Sequence, residues 1–164
     1  MKIDYCGASF GTVTVEVAIE EVGGLEQPES VASHEADDWF AELGLAQPEP
    51  VPVLPLAHQI AQKLHACTAP DADGNINERA HDLVDLQLAY DVYDGELRHI
   101  REVAVRLFAS RNGHLWPPTV TARDGWEQRY DRETDRVGGL DVVADLAAAM
   151  TWANKLVRRI DEAA

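Results

Sequence analysis

Residues 62 to 86 read QKLHACTAPDADGNINERAHDLVDL. Apolar residues recur with helical spacing at both ends of this stretch, and a segment rich in Pro, Gly and Asn separates them. We therefore predict two helices, with Lys63 on the first and with Asp82 and Asp85 on the second. The connector is long enough to bring the second helix back antiparallel, which would set the lysine against the aspartates.

The two aspartates lie three residues apart and share one face of the second helix, between apolar flanks. Two carboxylates on one face repel each other unless a cation lies over them. One interpretation is a partly buried salt bridge to Lys63 or Arg79 that fixes the register of the helices. The other is that Asp82 and Asp85 hold a catalytic lysine, or help to bind a cation or a nucleotide. Under either one, a Lys63 nitrogen should lie within about 4 Å of a carboxylate oxygen.

The rest of the sequence predicts an α+β fold in a single domain, 1–164. Residues 1–22 indicate a β-hairpin, because TVTVEVAIEE alternates apolar and polar residues. Residues 23–55 indicate an irregular Pro-rich connector with room for one short helix near 36–43. Residues 56–164 indicate a bundle of four to five helices. Those helices are expected near residues 56–68, 79–92, 96–111 and 141–161, and the segment 124–136 is a further candidate.

Composition and charge restrict the function classes. The formal net charge of −15 would repel phosphate backbones and anionic lipid, so contact with nucleic acid would need a local basic patch. No apolar run is long enough for a membrane helix, and the N-terminus does not resemble a signal peptide. We therefore predict a cytoplasmic chain with no membrane partner, in which Cys6 and Cys67 are reduced, buried thiols.

Other candidate sites have less support in the sequence. His58 and His65 lie seven residues apart on the margin of the first helix away from Lys63, and we interpret them as solvated or capping residues. Glu16 lies on the polar face of the hairpin, where a metal-binding carboxylate could be placed. The tryptophans are predicted to be core or interface anchors, since basic residues do not interleave with them. They are Trp39, Trp116, Trp126 and Trp152.

Two segments carry a resemblance to a known family. VLPLAHQIAQKLHACT, followed by NERAHDLVDLQLAY, resembles the C-terminal half of the AbiEii/AbiGii toxin nucleotidyltransferases. In that family a helix with A-x-K-L/F-H-A leads through a loop to R-x-x-D-x-x-D-L. HLWPPTVTARDGWEQRY and the closing amphipathic helix also resemble the tail of the family. Carried over by position, Lys63 matches the essential lysine and Asp82 the aspartate of the last motif, with Arg79 and Asp85 as supporting residues.

The resemblance implies a nucleotidyltransferase sheet, with the hairpin as its late strands, packed on a helical bundle. It implies transfer of a nucleoside monophosphate from an NTP to RNA such as tRNA, with Mg²⁺, in a toxin–antitoxin or phage-defence system. The family binds its metals through an Asp-x-Asp strand that follows a Gly-Ser turn. No Asp-x-Asp lies on an apolar strand in this chain, and Glu16 matches at most a third metal-binding carboxylate.

We therefore expect the C-terminal part of such an enzyme, nucleotidyltransferase-like but inactive alone, with Mg²⁺ and NTP not bound by this chain by itself. Its partners would be an antitoxin or the missing N-terminal half, and RNA only as part of a complete enzyme. The alternative is a non-catalytic protein-interaction module that binds an antitoxin or forms a homodimer. The net charge of −15 favours protein partners over free RNA.

Overall fold

The structure is a computed structural model that describes residues 2–12, 14, 28–32, 34–71, 74–111 and 113–163. In these ranges the chain forms four short strands and six α-helices, so the predicted α+β class is confirmed. The strands are β1 (Lys2–Tyr5), β2 (Ala8–Thr12), β3 (Glu29–Val31) and β4 (Val51–Val53). The helices are α1 (His34–Glu42), α2 (Leu56–Thr68), α3 (Asp82–Asp91), α4 (Leu97–Ser110), α5 (Trp126–Arg136) and α6 (Leu146–Glu162).

Strands β1 and β2 pair antiparallel around a tight turn, which confirms a hairpin in this region. Its second strand is placed wrongly by the sequence, because β2 spans Ala8–Thr12 and TVTVEVAIEE begins only at Thr12. Cys6 and Gly7 form that turn with positive φ angles of 52° and 78°, a conformation that glycine adopts without steric cost. Cys6 is exposed, so the prediction that this thiol is buried is wrong: its place in the turn keeps it off the apolar face. Apart from Thr12 and Thr14, the predicted second strand, including Glu16, lies outside the described residues.

Residues 23–55 are more regular than the prolines suggested. Strand β3 pairs antiparallel with β4, and Ser30 lies opposite Pro52. A two-stranded sheet has only edge strands, where a proline without an N–H can be accommodated on the unpaired side. The interpretation of the whole segment as an irregular connector is therefore wrong at these strands, while α1 confirms the predicted short helix.

Five helices, α2 to α6, follow one another in the described part of residues 56–164, as predicted for the bundle. Helix α2 has the bounds expected from its apolar spacing, and a 3₁₀ turn at Arg79–His81 leads into α3. Helix α2 packs against α3 and α4, and α5 and α6 complete the bundle. Among described residues, β1 contacts β2, and β3 contacts β4. The largest fully buried side chains include Trp126, Tyr130, Phe108, Ile60, Leu64, Leu83, Leu86, Ile100 and Ile160.

Helix α6 begins later than expected. The prediction placed its start at Asp141, whereas Leu146 is its first residue and Asp145 is the N-cap. The Asp145 carboxylate accepts a hydrogen bond from the Ala148 amide at 2.7 Å, which satisfies one of the amide groups that have no partner within the helix. The Val143 amide instead donates to Gln87 Oε1 at 2.7 Å, so the preceding residues are held against α3 and cannot join the helix. Within the described residues, no helix is long and apolar enough to cross a membrane.

Candidate functional site

Lys63 lies at the edge of the buried face of α2. Its neighbour Leu64 is fully buried, whereas the Lys63 side chain is 32% exposed. Asp82 is the first residue of α3, one turn before Asp85. Because α2 packs directly on α3, the three side chains meet at the seam between the two helices. The site is therefore built by the same packing that forms the core.

Lys63 bridges both aspartates. Its Nζ lies 2.7 Å from Asp82 Oδ1 and 2.7 Å from Asp85 Oδ2, and it donates a hydrogen bond to each. The predicted pairing of Lys63 with this face of α3 is confirmed. Distances of this kind are those of strong, charge-assisted hydrogen bonds. An ammonium group carries three N–H donors, so one of them is not used by the aspartates.

The surroundings of Asp82 are unusual for a carboxylate, because its side chain is only 2% exposed. Three features compensate for this burial. The N-terminus of α3 favours negative charge, the Arg79 Nε lies 3.4 Å from Asp82 Oδ2, and the His81 Nε2 lies 3.7 Å from Asp82 Oδ1. Asp82 Oδ2 makes no hydrogen bond within the described structure. That oxygen is therefore stabilised by the Arg79 charge and the N-terminus of α3, without a hydrogen bond.

The charge state of Lys63 follows from the balance of two effects. Burial lowers the pKa of its ammonium, but the hydrogen bonds to Asp82 and Asp85, together with their negative charges, outweigh burial and raise the pKa above the ordinary 10.5. Lys63 is therefore a cation at neutral pH. It can neutralise an anion, and it is not set up to act as a general base.

Asn77 sets the geometry of the connector, and the sequence analysis did not identify it. Its side chain donates to the carbonyls of Ala66 and Ala69, at 2.9 and 2.7 Å, and accepts from the Arg79 amide at 2.9 Å. It therefore joins the C-terminus of α2 to the turn before α3. The available signal was the preference of asparagine for caps and turns, read at the end of a loop already rich in such residues.

The two histidines of α2 are buried, so their interpretation as solvated residues is wrong. His58 is 4% exposed and His65 is 9% exposed. The rings that pack on His65 come from α4 and from the segment after it. The His65 ring centre lies 4.9 Å from that of Phe108 and 4.7 Å from that of His114. Sequence spacing gave the margin correctly but not what packs over it.

The tryptophan prediction is confirmed for Trp126, which is fully buried. Trp39 is 65% exposed on α1, so it is not a core residue, and its role as an interface anchor stays a prediction. Trp116 and Trp152 are half-buried beside the core. No group of three His, Cys, Asp or Glu side chains in the described ranges could hold a metal ion. Both cysteines are free thiols, and Cys67 is buried as predicted.

Comparison with known proteins agrees with the resemblance in the sequence. The family model described as "Nucleotidyl transferase AbiEii toxin, Type IV TA system" matches residues 4–153, a range that contains Lys63, Arg79, Asp82 and Asp85. No curated protein matches the chain. Because the match extends over most of the sequence, the chain belongs to the AbiEii nucleotidyl transferase toxin family of type IV toxin–antitoxin systems.

Proposed function

We propose that the chain serves nucleotide transfer in the cytoplasm, as the C-terminal part of an enzyme that moves a nucleoside monophosphate from an NTP to RNA such as tRNA. The proposed setting is a toxin–antitoxin or phage-defence system. The observation that carries the proposal is the Lys63 ammonium, held at 2.7 Å from both Asp82 and Asp85 and still 32% exposed. A fixed cation that remains reachable from solvent is what a triphosphate requires.

Phosphoryl transfer depends mainly on positioning and on neutralising charge, with little covalent chemistry for the protein. In this proposal Lys63 contacts the triphosphate through its third N–H, while the buried Asp82 fixes the position of the ammonium. Arg79, 56% exposed and 3.4 Å from Asp82, is the second cation on the same seam. Asp82 then acts as a positioning residue, because it holds both cations and is itself too buried to meet the nucleotide.

Mg²⁺ does not fit the residues that the structure describes. Both carboxylates of the seam are engaged by Lys63, and no suitable group of ligands is found elsewhere in those residues. We propose that a separate N-terminal half supplies the main metal-binding carboxylates and that Glu16 of this chain adds one more. This chain alone would then transfer no nucleotide. Binding of NTP by the chain alone should be weak, with a Kd of about 1 mM or above.

The first test is transfer. The chain is incubated with each labelled NTP, Mg²⁺ and bulk tRNA, and no labelled RNA is expected. Labelled RNA that disappears with Lys63→Ala would show that the chain is a complete enzyme and that the missing-half proposal is wrong.

The second test is contact with the triphosphate. In ¹H–¹⁵N spectra, ATP should shift amides of α2 and α3 around Lys63, and AMP should shift them less. Lys63→Met should abolish these shifts, and Lys155→Met should keep them, because Lys155 is an exposed lysine on α6 away from the seam. Equal shifts in wild type and Lys63→Met would contradict the proposed role of Lys63.

A second candidate function is a non-catalytic module that binds an antitoxin or a second copy of the chain. It is supported by exposed large apolar side chains between β3 and β4, where Trp39 is 65% exposed and Leu43 is 72% exposed. Such side chains are found at protein interfaces. Light scattering over a range of chain concentrations tests the homodimer. A mass of 18.1 kDa at every concentration would exclude it, and Trp39→Ser should restore that mass if a dimer forms.

A further inference from the structure

A second concave surface is formed by α3, α6 and the residues that precede α6. It is a cleft of about 410 Å³, within the size range of small-ligand sites. It is lined by Gln87, Tyr90, Asp91, Asp141, Val142, Val143 and Trp152. None of these residues belongs to the seam of Lys63, Arg79, Asp82 and Asp85.

The rim of the cleft is anionic. Asp91 and Asp141 are both exposed, and no cation of the described residues pairs with either carboxylate. Asp91 is also the last residue of α3, where the backbone carbonyls at the helix end carry partial negative charge. Two carboxylates and a helix C-terminus therefore point to a cation and disfavour a phosphate.

The wall of the cleft is aromatic. The Tyr90 and Trp152 rings meet edge to face, with centres 6.0 Å apart. The guanidinium of Arg159 lies 5.9 Å from the Tyr90 ring centre, so the Tyr90 ring already contacts a guanidinium of the chain itself. Trp152 supplies the second ring, and tryptophan is the side chain that attracts cations most strongly.

The floor of the cleft is held in place before any ligand arrives. Gln87 is 6% exposed, and its Nε2 donates to the Leu83 carbonyl at 2.9 Å and to the Tyr130 hydroxyl at 3.0 Å. Its Oε1 accepts from the Val143 amide, which fixes the segment carrying Asp141 against α3. A cleft held in this way binds without first losing the entropy of two mobile walls.

We propose that this cleft binds the guanidinium group of an arginine side chain presented by a protein partner. A guanidinium is planar and can stack on Trp152 while its fork of N–H donors reaches the two rim carboxylates. An ammonium group is a strongly hydrated point charge and would use these features less completely. The net charge of −15 also favours the approach of a basic protein segment. This interaction is separate from the nucleotide site.

The probe is a capped pentapeptide with one central arginine, compared with peptides in which lysine or citrulline replaces it. Citrulline keeps the shape and removes the charge. The arginine peptide should shift the Trp152 indole N–H resonance in ¹H–¹⁵N spectra, lysine should bind less tightly, and citrulline should leave the resonance in place.

Two pairs of substitutions separate specific contact from total charge. Asp91→Asn with Asp141→Asn should weaken binding of the arginine peptide by about tenfold. Asp38→Asn with Asp131→Asn removes the same charge from exposed positions outside the cleft and should leave binding unchanged. Lys63→Met should also leave it unchanged, so the cleft and the nucleotide site can fail independently. Both pairs of aspartate substitutions should keep the wild-type melting temperature within about 2 °C, since all four positions are exposed.

Three results would overturn the proposal. Equal binding of the citrulline peptide would remove the role of charge, and equal loss in both aspartate pairs would leave only an unspecific electrostatic effect. Tighter binding of free spermidine than of the arginine peptide would assign the cleft to a small organic cation in place of a protein partner.

Discussion

Replacing Lys63 by methionine should destabilise the fold, because it removes the cation from two carboxylates. Methionine keeps the apolar stem of the side chain and its packing on α2, so the variant isolates the loss of charge. Asp82, at 2% exposure, cannot regain water in exchange for the lost hydrogen bond. Asp85, at 38% exposure, can be hydrated again when the lysine is removed. Most of the cost should therefore arise at Asp82.

The magnitude follows from this difference in exposure. Orphaning a buried hydrogen-bonding group costs about 1–3 kcal/mol. A fully buried pair that loses one partner costs about 3–5 kcal/mol, but Lys63 is one-third exposed and Asp82 keeps Arg79 at 3.4 Å, so the lower range applies. For a chain of this length, each kcal/mol lowers the melting temperature by about 2–4 °C, which gives a fall of about 2–12 °C.

The assay is urea unfolding at pH 7, followed by circular dichroism, of wild type, Lys63→Met and the control Lys155→Met. A further variant, Lys63→Met with Asp82→Asn, removes the orphaned charge and should recover part of the loss. The reasoning would be refuted if Lys63→Met unfolded at the wild-type urea concentration, or if adding Asp82→Asn destabilised it further by the full cost of Asp82→Asn alone.

The remaining predictions concern titration, thiol reactivity and helix capping. The raised pKa of Lys63 means that its stabilisation is fully present below pH 10.5 and is lost as pH rises through the folded-state pKa; the free-energy difference between wild type and Lys63→Met should shrink above that pH. Burial raises the pKa of Cys67 to about 12, so a thiol reagent at pH 8 should modify only Cys6 in the native chain and both cysteines in urea, and Cys6→Ser should leave no fast reaction. Asp145→Ala should destabilise the fold by about 1 kcal/mol through loss of the N-cap, whereas Asp141→Ala should have little effect. Equal melting temperatures of these two variants would contradict the assignment of Asp145 as the N-cap of α6.

The sequence predicted the elements whose signal is local. The apolar spacing of α2 defined both of its ends, and Lys63 and Asp82 were correctly placed on facing edges. Two charged groups at the margins of apolar stripes must meet when the stripes pack, so this part of the site followed from periodicity alone.

What the sequence did not predict depends on tertiary contacts. The start of α6 was assigned to Asp141 because apolar residues continue the helical period before Asp145. The hydrogen bond from the Val143 amide to Gln87 Oε1, which periodicity does not reveal, explains why the helix begins later. The burial of His65 likewise depends on which aromatic rings approach from other elements. Positions of this kind are settled by partners distant in sequence, and a periodicity argument does not include them.

The unequal burial of Asp82 and Asp85 connects the stability of the site with its proposed chemistry. Asp82 is tied into the core by its position at the start of α3, so it can hold Lys63 in every state of the folded chain. Asp85 is 38% exposed, so its contact adds little to stability, and its negative charge opposes a phosphate oxygen that approaches the third N–H of Lys63. Under the proposed function, Asp85→Asn should therefore preserve most of the stability and strengthen the contact of ATP with Lys63, whereas Asp82→Asn should weaken both. A weaker ATP shift in Asp85→Asn than in wild type would show that Asp85 is needed to position the lysine.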